Sequence, residues 1–289
     1  MTNIRTKQLS VIGAIVLLVA FLFSRDIKGL VKPKEENGKG APAAAQMAEA
    51  GPVAEISLKE VSTTAKNMIS GGLSGEITAL ENTFNTAAEK DKAKTAKLLA
   101  QKWEDLEQAV PSALYLEIVA QREPDLKSWL AAGDQFLKAF DNSRDSLLQP
   151  ALLQKANNAF SNAMKLDSTS NDAKTGLGIT IVDGMGMPMQ GIAMLMDVVK
   201  KDPKNLKANM SLGTFAIKSG QFDKAITRFK DVIAIKPAPD AYFYLATAYE
   251  NLNRNEEAIA AYLESKRLAA NPTLSKFIDE RVLELKKKN

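Results

Sequence analysis

The chain has 289 residues, no cysteine and no histidine, and its 38 Lys and Arg against 34 Asp and Glu give a formal charge of +4. Without cysteine it cannot form a disulfide framework, a thiolate zinc site, an iron–sulfur cluster or a lipid-modified cysteine anchor. Without histidine it lacks the usual base of hydrolases and an imidazole metal ligand.

The positive charge is confined to the N-terminus. Seven of the basic and three of the acidic residues fall within residues 1–40, so the remaining 249 residues carry 31 of each sign. A neutral body has no basic patch with interleaved aromatic residues, so we expect no nucleic-acid partner.

The N-terminal segment is predicted to cross a membrane. Leu9–Phe23 contains one polar side chain, Ser10, and is flanked by Lys7 and Arg25. Fifteen helical residues span about 22 Å, less than the roughly 30 Å hydrocarbon layer, and the two flanking cations can reach the interfaces. We therefore predict a basic tail at residues 1–8 and an uncleaved single-pass anchor at 9–25.

Two other interpretations of this segment stay open, a cleaved signal peptide and a buried helix. The nearest small-residue stretch, Ala41–Ala45, comes about twenty residues too late for signal cleavage. The side of the membrane is also open, because the count of basic residues favours a cytoplasmic body, whereas a short basic tail before one apolar segment favours export. We expect a bacterial inner-membrane protein whose body is periplasmic.

Residues 26–56 are predicted to be a flexible linker. The stretch from Lys32 to Pro52 is rich in Ala, Gly, Pro and charged residues and shows no apolar periodicity. A flexible coil of about 30 residues has a root-mean-square reach of roughly 30 Å, enough to hold a domain just off the membrane.

The rest of the chain has the periodicity of helices, with no alternating strand pattern. Its segments repeat with a period of about 34 residues. The clearest copy begins near Leu206, with Gly213 on its first helix, Phe229 on its second and Pro237 after it. Equivalent residues recur in three other copies, of which the most N-terminal carries about eleven inserted residues: Gly133, Phe136, Ala156 and Phe160; Gly178, Ile181, Gly191 and Leu195; and Ala246, Tyr249, Ala258 and Tyr262.

This pattern resembles the tetratricopeptide repeat (TPR), W-x2-L-G-x2-Y followed by A-x3-F and P. Small residues at the eighth and twentieth positions let two antiparallel helices approach closely, and large residues at the fourth, eleventh and twenty-fourth fill the space to the next helix. The resemblance covers about residues 126–272 and implies an all-α, right-handed α-solenoid of antiparallel helix pairs. Asn209 departs from the pattern at an aromatic position and Ser265 at an alanine position.

Helical segments are predicted on both sides of the repeats, which we assign to residues 123–272. Residues 57–122 are interpreted as a helical cap or degenerate repeats, with these core candidates: Leu80, Phe84, Leu98, Leu99, Trp103 and Leu106. Residues 273–289 are predicted to form a capping helix in which Thr273 is the N-cap and one side carries Leu274, Phe277, Ile278, Val282 and Leu285.

The resemblance also implies a binding surface. In this family the first helix of each repeat lines a concave groove that binds a peptide or helix of a partner protein. The groove positions fall here on Leu130, Asp134, Ile179, Lys207, Met210, Thr214, Phe243, Thr247 and Glu250. The family's carboxylate clamp needs paired Lys and Asn on successive first helices; only Lys207 fits, so that subtype is not expected.

A methionine cluster is the most unusual local feature. Met185, Met187 and Met189 offer thioethers, which bind Cu(I), in a chain that has no Cys or His. The alternatives are a Met-lined partner contact and the favoured interpretation, the turn and core of one repeat, in which Pro188 begins the second helix.

No other residue pattern predicts catalysis. Adjacent carboxylates such as Glu256 and Glu257 lie among basic residues on amphipathic helices, and the glycine pairs lack the spacing and the lysine of a phosphate-binding loop. We therefore expect that the protein is not an enzyme and that it uses no cofactor and no small-molecule substrate.

Two hypotheses of function follow. The first is a membrane-anchored scaffold that binds a protein partner in its groove. The alternative is a structural subunit held permanently in a multiprotein membrane complex, of the secretion or respiratory-assembly type.

Overall fold

The computed structural model describes residues 55–184 and 186–287. Within these residues the chain forms thirteen α-helices, one short 3-10 helix at Glu89–Asp91 and no strand. This confirms the predicted all-α class. The helices are α1 (Leu58–Lys66), α2 (Gly71–Thr86), α3 (Lys92–Asp105), α4 (Ala109–Arg122), α5 (Leu126–Asn142), α6 (Gln149–Leu166), α7 (Asn171–Gly184), α8 (Pro188–Lys201), α9 (Leu206–Lys218), α10 (Phe222–Ile235), α11 (Pro239–Asn251), α12 (Asn255–Leu268) and α13 (Pro272–Lys287).

The predicted tail at 1–8, the anchor at 9–25 and nearly all of the linker at 26–56 lie outside the described residues. In residues 55–184 and 186–287, no helix combines the length and the apolar character needed to cross a bilayer.

Helices that are consecutive in sequence pack against each other throughout this part of the chain. In addition, each first helix of a predicted repeat contacts the first helix of the next, α5 with α7, α7 with α9 and α9 with α11. The second helices α6, α8, α10 and α12 do not show comparable contacts with one another among the described residues. The first helices therefore form one shared surface, as the repeat pattern predicts.

A buried phenylalanine ring joins three helices of the first repeats. Phe160 on α6 is fully buried, and a Cβ added at Gly133 on α5 would come within 2.7 Å of its ring. A Cβ added at Gly176 on α7 would overlap the same ring. Glycine at both positions thus lets α5 and α7 approach α6 from two sides, because no side chain competes with the ring for space.

A similar arrangement recurs two repeats later, in the helix pair α9 and α10. Phe229 on α10 is fully buried, and a Cβ at Gly213 on α9 would come within 2.7 Å of its ring. On its other side lies Tyr244 of α11, which occupies the position equivalent to Gly176 and stacks on Phe229 with 5.6 Å between centroids. The ring at the twenty-fourth position therefore contacts both its own first helix and the next one.

The tight turns inside the helix pairs have a common geometry. Gly220 and Asn253 have φ of 73° and 57°, and the following residues donate backbone hydrogen bonds back into the preceding helix, Gln221 to Ala216 and Arg254 to Tyr249. Such positive-φ residues close helix C-termini. Glu107, between α3 and α4, has φ of 58°, and Gln108 N–H donates to the Trp103 carbonyl in the same way. The pair α3 and α4 thus turns like a repeat although its sequence matches the pattern poorly.

Several local predictions need correction. Leu98, a predicted core residue, is 53% exposed, because α3 turns Leu99 and Trp103 inward instead. The last helix begins at Pro272, and its cap is Asn271, whose side chain accepts a hydrogen bond from Leu274 N–H at 3.0 Å. Phe277, placed with the apolar residues of that helix, is 49% exposed.

The insertion in the first repeat mainly lengthens its helices. Helix α5 has 17 residues and α6 has 18, compared with 13 and 14 in α9 and α10. The rest of the insertion forms the connection at residues 143–148.

The ring packing predicts a contrast between two helical glycines. Gly176→Ala should lower the free energy of unfolding by about 1–3 kcal/mol, since Phe160 is also held by Gly133 and cannot move aside. Gly75→Ala in α2 meets no atom within 4 Å and should raise it by about 0.5–1 kcal/mol through helix propensity. Urea unfolding followed by circular dichroism measures both; equal stabilisation by the two substitutions would contradict the packing.

Candidate partner-binding surface

The nine predicted groove residues lie on the four first helices that contact one another. Leu130 and Asp134 are on α5 and Ile179 is on α7. Helix α9 carries Lys207, Met210 and Thr214, and α11 carries Phe243, Thr247 and Glu250. Asp134 and Lys207 are exposed and the other seven are half-buried. We call this set of helices, α5, α7, α9 and α11, the first-helix surface.

Two of the predicted contact residues bind each other. Lys207 Nζ on α9 forms an ion pair with Asp134 Oδ1 on α5, across the intervening α7. The same ammonium group lies 5.3 Å from the centroid of the Phe160 ring. A second ion pair on this surface joins Lys218 of α9 to Asp183 of α7 at 2.9 Å. These exposed pairs each contribute little to stability, and a charged partner can displace them at low cost.

Glu250 is held by the C-terminal helix. Its carboxylate accepts hydrogen bonds from Arg281 on α13 through both the Nε and an Nη atom, a two-pronged ion pair. The Tyr262 hydroxyl on α12 donates to the same carboxylate at 3.0 Å. The carboxylate of Glu250 raises the pKa of the Arg281 guanidinium further above its usual range. Glu250 therefore fixes α13 beside α11, the first helix of the last repeat.

A cavity of about 500 Å³ opens between α11 and α13. Phe243, Thr247 and Glu250, three of the predicted groove residues, line it together with Tyr262, Phe277 and Arg281. Phe243 packs against Phe277 with 5.9 Å between ring centroids and against Tyr262 at 5.5 Å. The lining of the cavity therefore combines aromatic rings with charged side chains, and both α11 and α13 contribute to each.

Sequence reasoning missed the contribution of α13 to this cavity. Phe277 and Arg281 are four residues apart and share one face of that helix, so helical spacing was the available signal. The pattern nevertheless placed Phe277 on the buried side, because an aromatic residue among Leu, Ile and Val is ordinarily part of a core.

The proposed copper ligands are only partly described. Met187 is half-buried just before α8, Met189 is 74% exposed, and Met185 lies outside the described residues. Among the described residues no three Asp or Glu side chains converge on a possible metal site. A Cu(I) site at these methionines stays an untested alternative to the favoured interpretation, the turn and core of a repeat.

Residues 210–273 match the tetratricopeptide repeat family. The match extends from Met210 in α9 to the beginning of α13 and supports the repeat predicted for this part of the chain. No protein of curated function matches the sequence.

Several solved structures are similar in their chain trace. MamA is 19% identical over 62% of this chain and 92% of its own, with a TM-score of 0.43. YrrB, described as a TPR protein with an unusual peptide-binding site, is 16% identical over 68% of this chain and 97% of its own, with a TM-score of 0.41.

The burial of Tyr262 predicts an alkaline effect on stability. Burial, reinforced by the nearby Glu250 carboxylate, raises the pKa of Tyr262 to about 12. A phenol whose pKa is higher in the folded state stabilises the fold fully below its unfolded pKa of about 10, and this stability is lost as the pH rises through the folded pKa. Tyr262→Phe should cost about 1 kcal/mol at pH 8 through the lost hydrogen bonds and reduce the fall in stability between pH 9 and 12.

Unfolding in urea at these pH values measures the effect, and absorbance of the phenolate follows the titration itself. Tyr262→Phe should remove a tyrosine that titrates late. If it removes one that titrates near pH 10, the assigned environment of Tyr262 is wrong.

Proposed function

We propose that the protein is a non-catalytic scaffold whose first-helix surface binds a peptide or helix of a partner protein. The observation that carries the proposal is the cavity between α11 and α13, where predicted groove residues and the C-terminal helix create an open, partly aromatic site. Pockets of this size that combine apolar walls with fixed polar groups suit anchoring side chains of a bound chain.

The charges of this cavity favour a particular kind of segment. Glu250, Glu280 and Glu284 line it against one cation, Arg281, which pairs with both Glu250 and Glu284. The cavity is therefore negative overall. We expect a partner segment that packs an apolar side chain against Phe243 and Phe277 and places a lysine or arginine beside it.

The composition supports binding over catalysis, since the chain has neither Cys nor His and its residues from 41 onward carry no net charge. The same features support a protein partner in preference to a nucleic acid or a small-molecule substrate. The alternative, a permanent structural subunit, is favoured by apolar side chains exposed on second helices, such as Leu166 on α6 and Leu263 on α12, which are 52% and 45% exposed.

We further propose that residues 9–25 anchor the chain in a bacterial inner membrane, with the body in the periplasm. The apolar run Leu9–Phe23, with Ser10 as its one polar side chain, and the late position of any cleavage signal support this.

The anchor is tested by fractionation of membranes. The full-length chain should stay with the membrane pellet after alkaline carbonate extraction, whereas a chain lacking residues 1–25 should move to the supernatant. Protease added to intact spheroplasts should digest the body. Complete protection of the body, with digestion after lysis, would place it in the cytoplasm.

The binding site is tested by a matched pair of substitutions on α13. Phe277→Ser removes an aromatic wall of the cavity, and Leu283→Ser removes a large side chain of the same helix, 58% exposed, that does not line it. Co-purification from native membranes, quantified by mass spectrometry, should lose a specific partner at least about tenfold with Phe277→Ser, because truncation of an anchoring side chain costs more than 1 kcal/mol. If both variants retain the same proteins as wild type, the proposal is wrong.

A further inference from the structure

We propose a second binding site on the opposite side of the repeats, a groove between α8 and α10 that accepts an amphipathic helix of a partner protein carrying carboxylates along one edge. The site has three physical components: an apolar stripe on α8, a cavity floored by α9, and two cations on α10.

The apolar stripe is formed by Met189, Ile192 and Met196, which have the spacing of one helix face. Met189 is 74% exposed and Met196 is 46% exposed. Exposing two large apolar side chains to water on one face of a helix is energetically unfavourable. Methionine is flexible and polarizable, and it adapts its shape to helices that bind against it. This assigns a binding role to part of the methionine cluster that the turn of the repeat does not require.

The stripe borders a cavity of about 510 Å³. Its floor comes from the C-terminal half of α9, where Leu212 and Ala216 are buried and Phe215 is half-buried. Its far wall is α10, with Lys224, Thr227 and Arg228. The cavity has room for one or two large apolar side chains of a bound helix.

The two cations on α10 lack a carboxylate partner. Among the described residues no Asp or Glu oxygen lies within 4 Å of Lys224 or Arg228, whereas Lys174 on α7 and Lys218 on α9 are both in ion pairs. Lys224 Nζ donates to the Gln221 side chain at 2.6 Å. Arg228 donates to Asn209 Oδ1 at 3.1 Å and, through its other Nη atom, to the Met196 sulfur of α8 at 3.2 Å. Four residues separate them on α10, so they are about 6 Å apart along the axis, close to one helical turn.

Asn209 gives the arginine a fixed position. It occupies the repeat position where the family pattern has an aromatic residue, is 1% exposed, and donates to the carbonyls of Pro203 and Asn205 at 3.0 Å each. Its remaining acceptor binds Arg228. The departure from the repeat pattern therefore orients a cation at the rim of an apolar cavity.

These features define the partner. An apolar cavity with two cations one helical turn apart complements a helix with apolar residues at i, i+3, i+4 and i+7 and, on the flank of that face, two acidic residues four positions apart. A helix is favoured over an extended strand because the groove runs between two helices and offers no free backbone edge. The site shares no residue with the cavity between α11 and α13, so the two proposals can fail separately.

The probes for the experiment are two synthetic 18-residue peptides. Both have the same leucine face, and one carries glutamates and the other lysines at the flanking positions. Fluorescence anisotropy measures their binding to the full-length chain in phosphatidylcholine nanodiscs, with empty nanodiscs as the blank. The protein variants are Lys224→Glu with Arg228→Glu, the control Lys200→Glu with Lys236→Glu at the C-terminal ends of α8 and α10, and Met196→Ser.

We expect wild type and the control to bind the glutamate peptide at least about tenfold more tightly than the lysine peptide. The Lys224/Arg228 double substitution should reverse this preference, and Met196→Ser should weaken both peptides. Equal binding of the two peptides by wild type, or an unchanged preference in the double variant, would overturn the proposal. Co-flotation of the nanodisc-bound chain with phosphatidylglycerol vesicles that the double variant abolishes, without peptide binding, would overturn it in favour of a lipid surface.

Discussion

The fold depends on one packing relationship, a large ring inserted between two neighbouring first helices and lying against a glycine of its own helix pair. Phe160 lies between Gly133 and Gly176, and Phe229 lies between Gly213 and Tyr244. Because each ring contacts both its own helix pair and the next, it fixes the spacing inside a repeat and between repeats at once. Close approach of the first helices, and therefore the surface that they share, follows from this relationship.

The shared surface is already partly occupied by its own residues. Lys207 pairs with Asp134, Lys218 with Asp183, and Glu250 with Arg281. The first two pairs are exposed and are readily exchanged for a partner's charges, whereas the third is partly buried and fixes α13. A partner therefore meets a surface whose C-terminal end is preorganised, and the aromatic cavity at that end is its natural anchoring point.

Structural features that depend only on residue spacing within one helix pair were predicted correctly from the sequence. The glycines, alanines and rings at the repeat positions indicated the helix pairs and the surface of first helices, since helical geometry places them without further information. Leu98 and Phe277 were misplaced because several faces of their helices carry apolar residues, and only the neighbouring helices determine which face is buried. The pairs Lys207–Asp134 and Glu250–Arg281 join residues 73 and 31 positions apart, a contact that no local pattern specifies.

Site-specific photocrosslinking tests the central claim, that the first-helix surface binds a protein partner, most directly. A photoreactive amino acid at Asn251, which lines the cavity between α11 and α13, is compared in native membranes with one at Leu263 on the second helix α12. We predict one dominant protein adduct from Asn251 that is absent from Leu263 and disappears with Phe277→Ser. Adducts from Leu263 alone, with none from Asn251, would contradict the claim and favour a subunit held by its second helices.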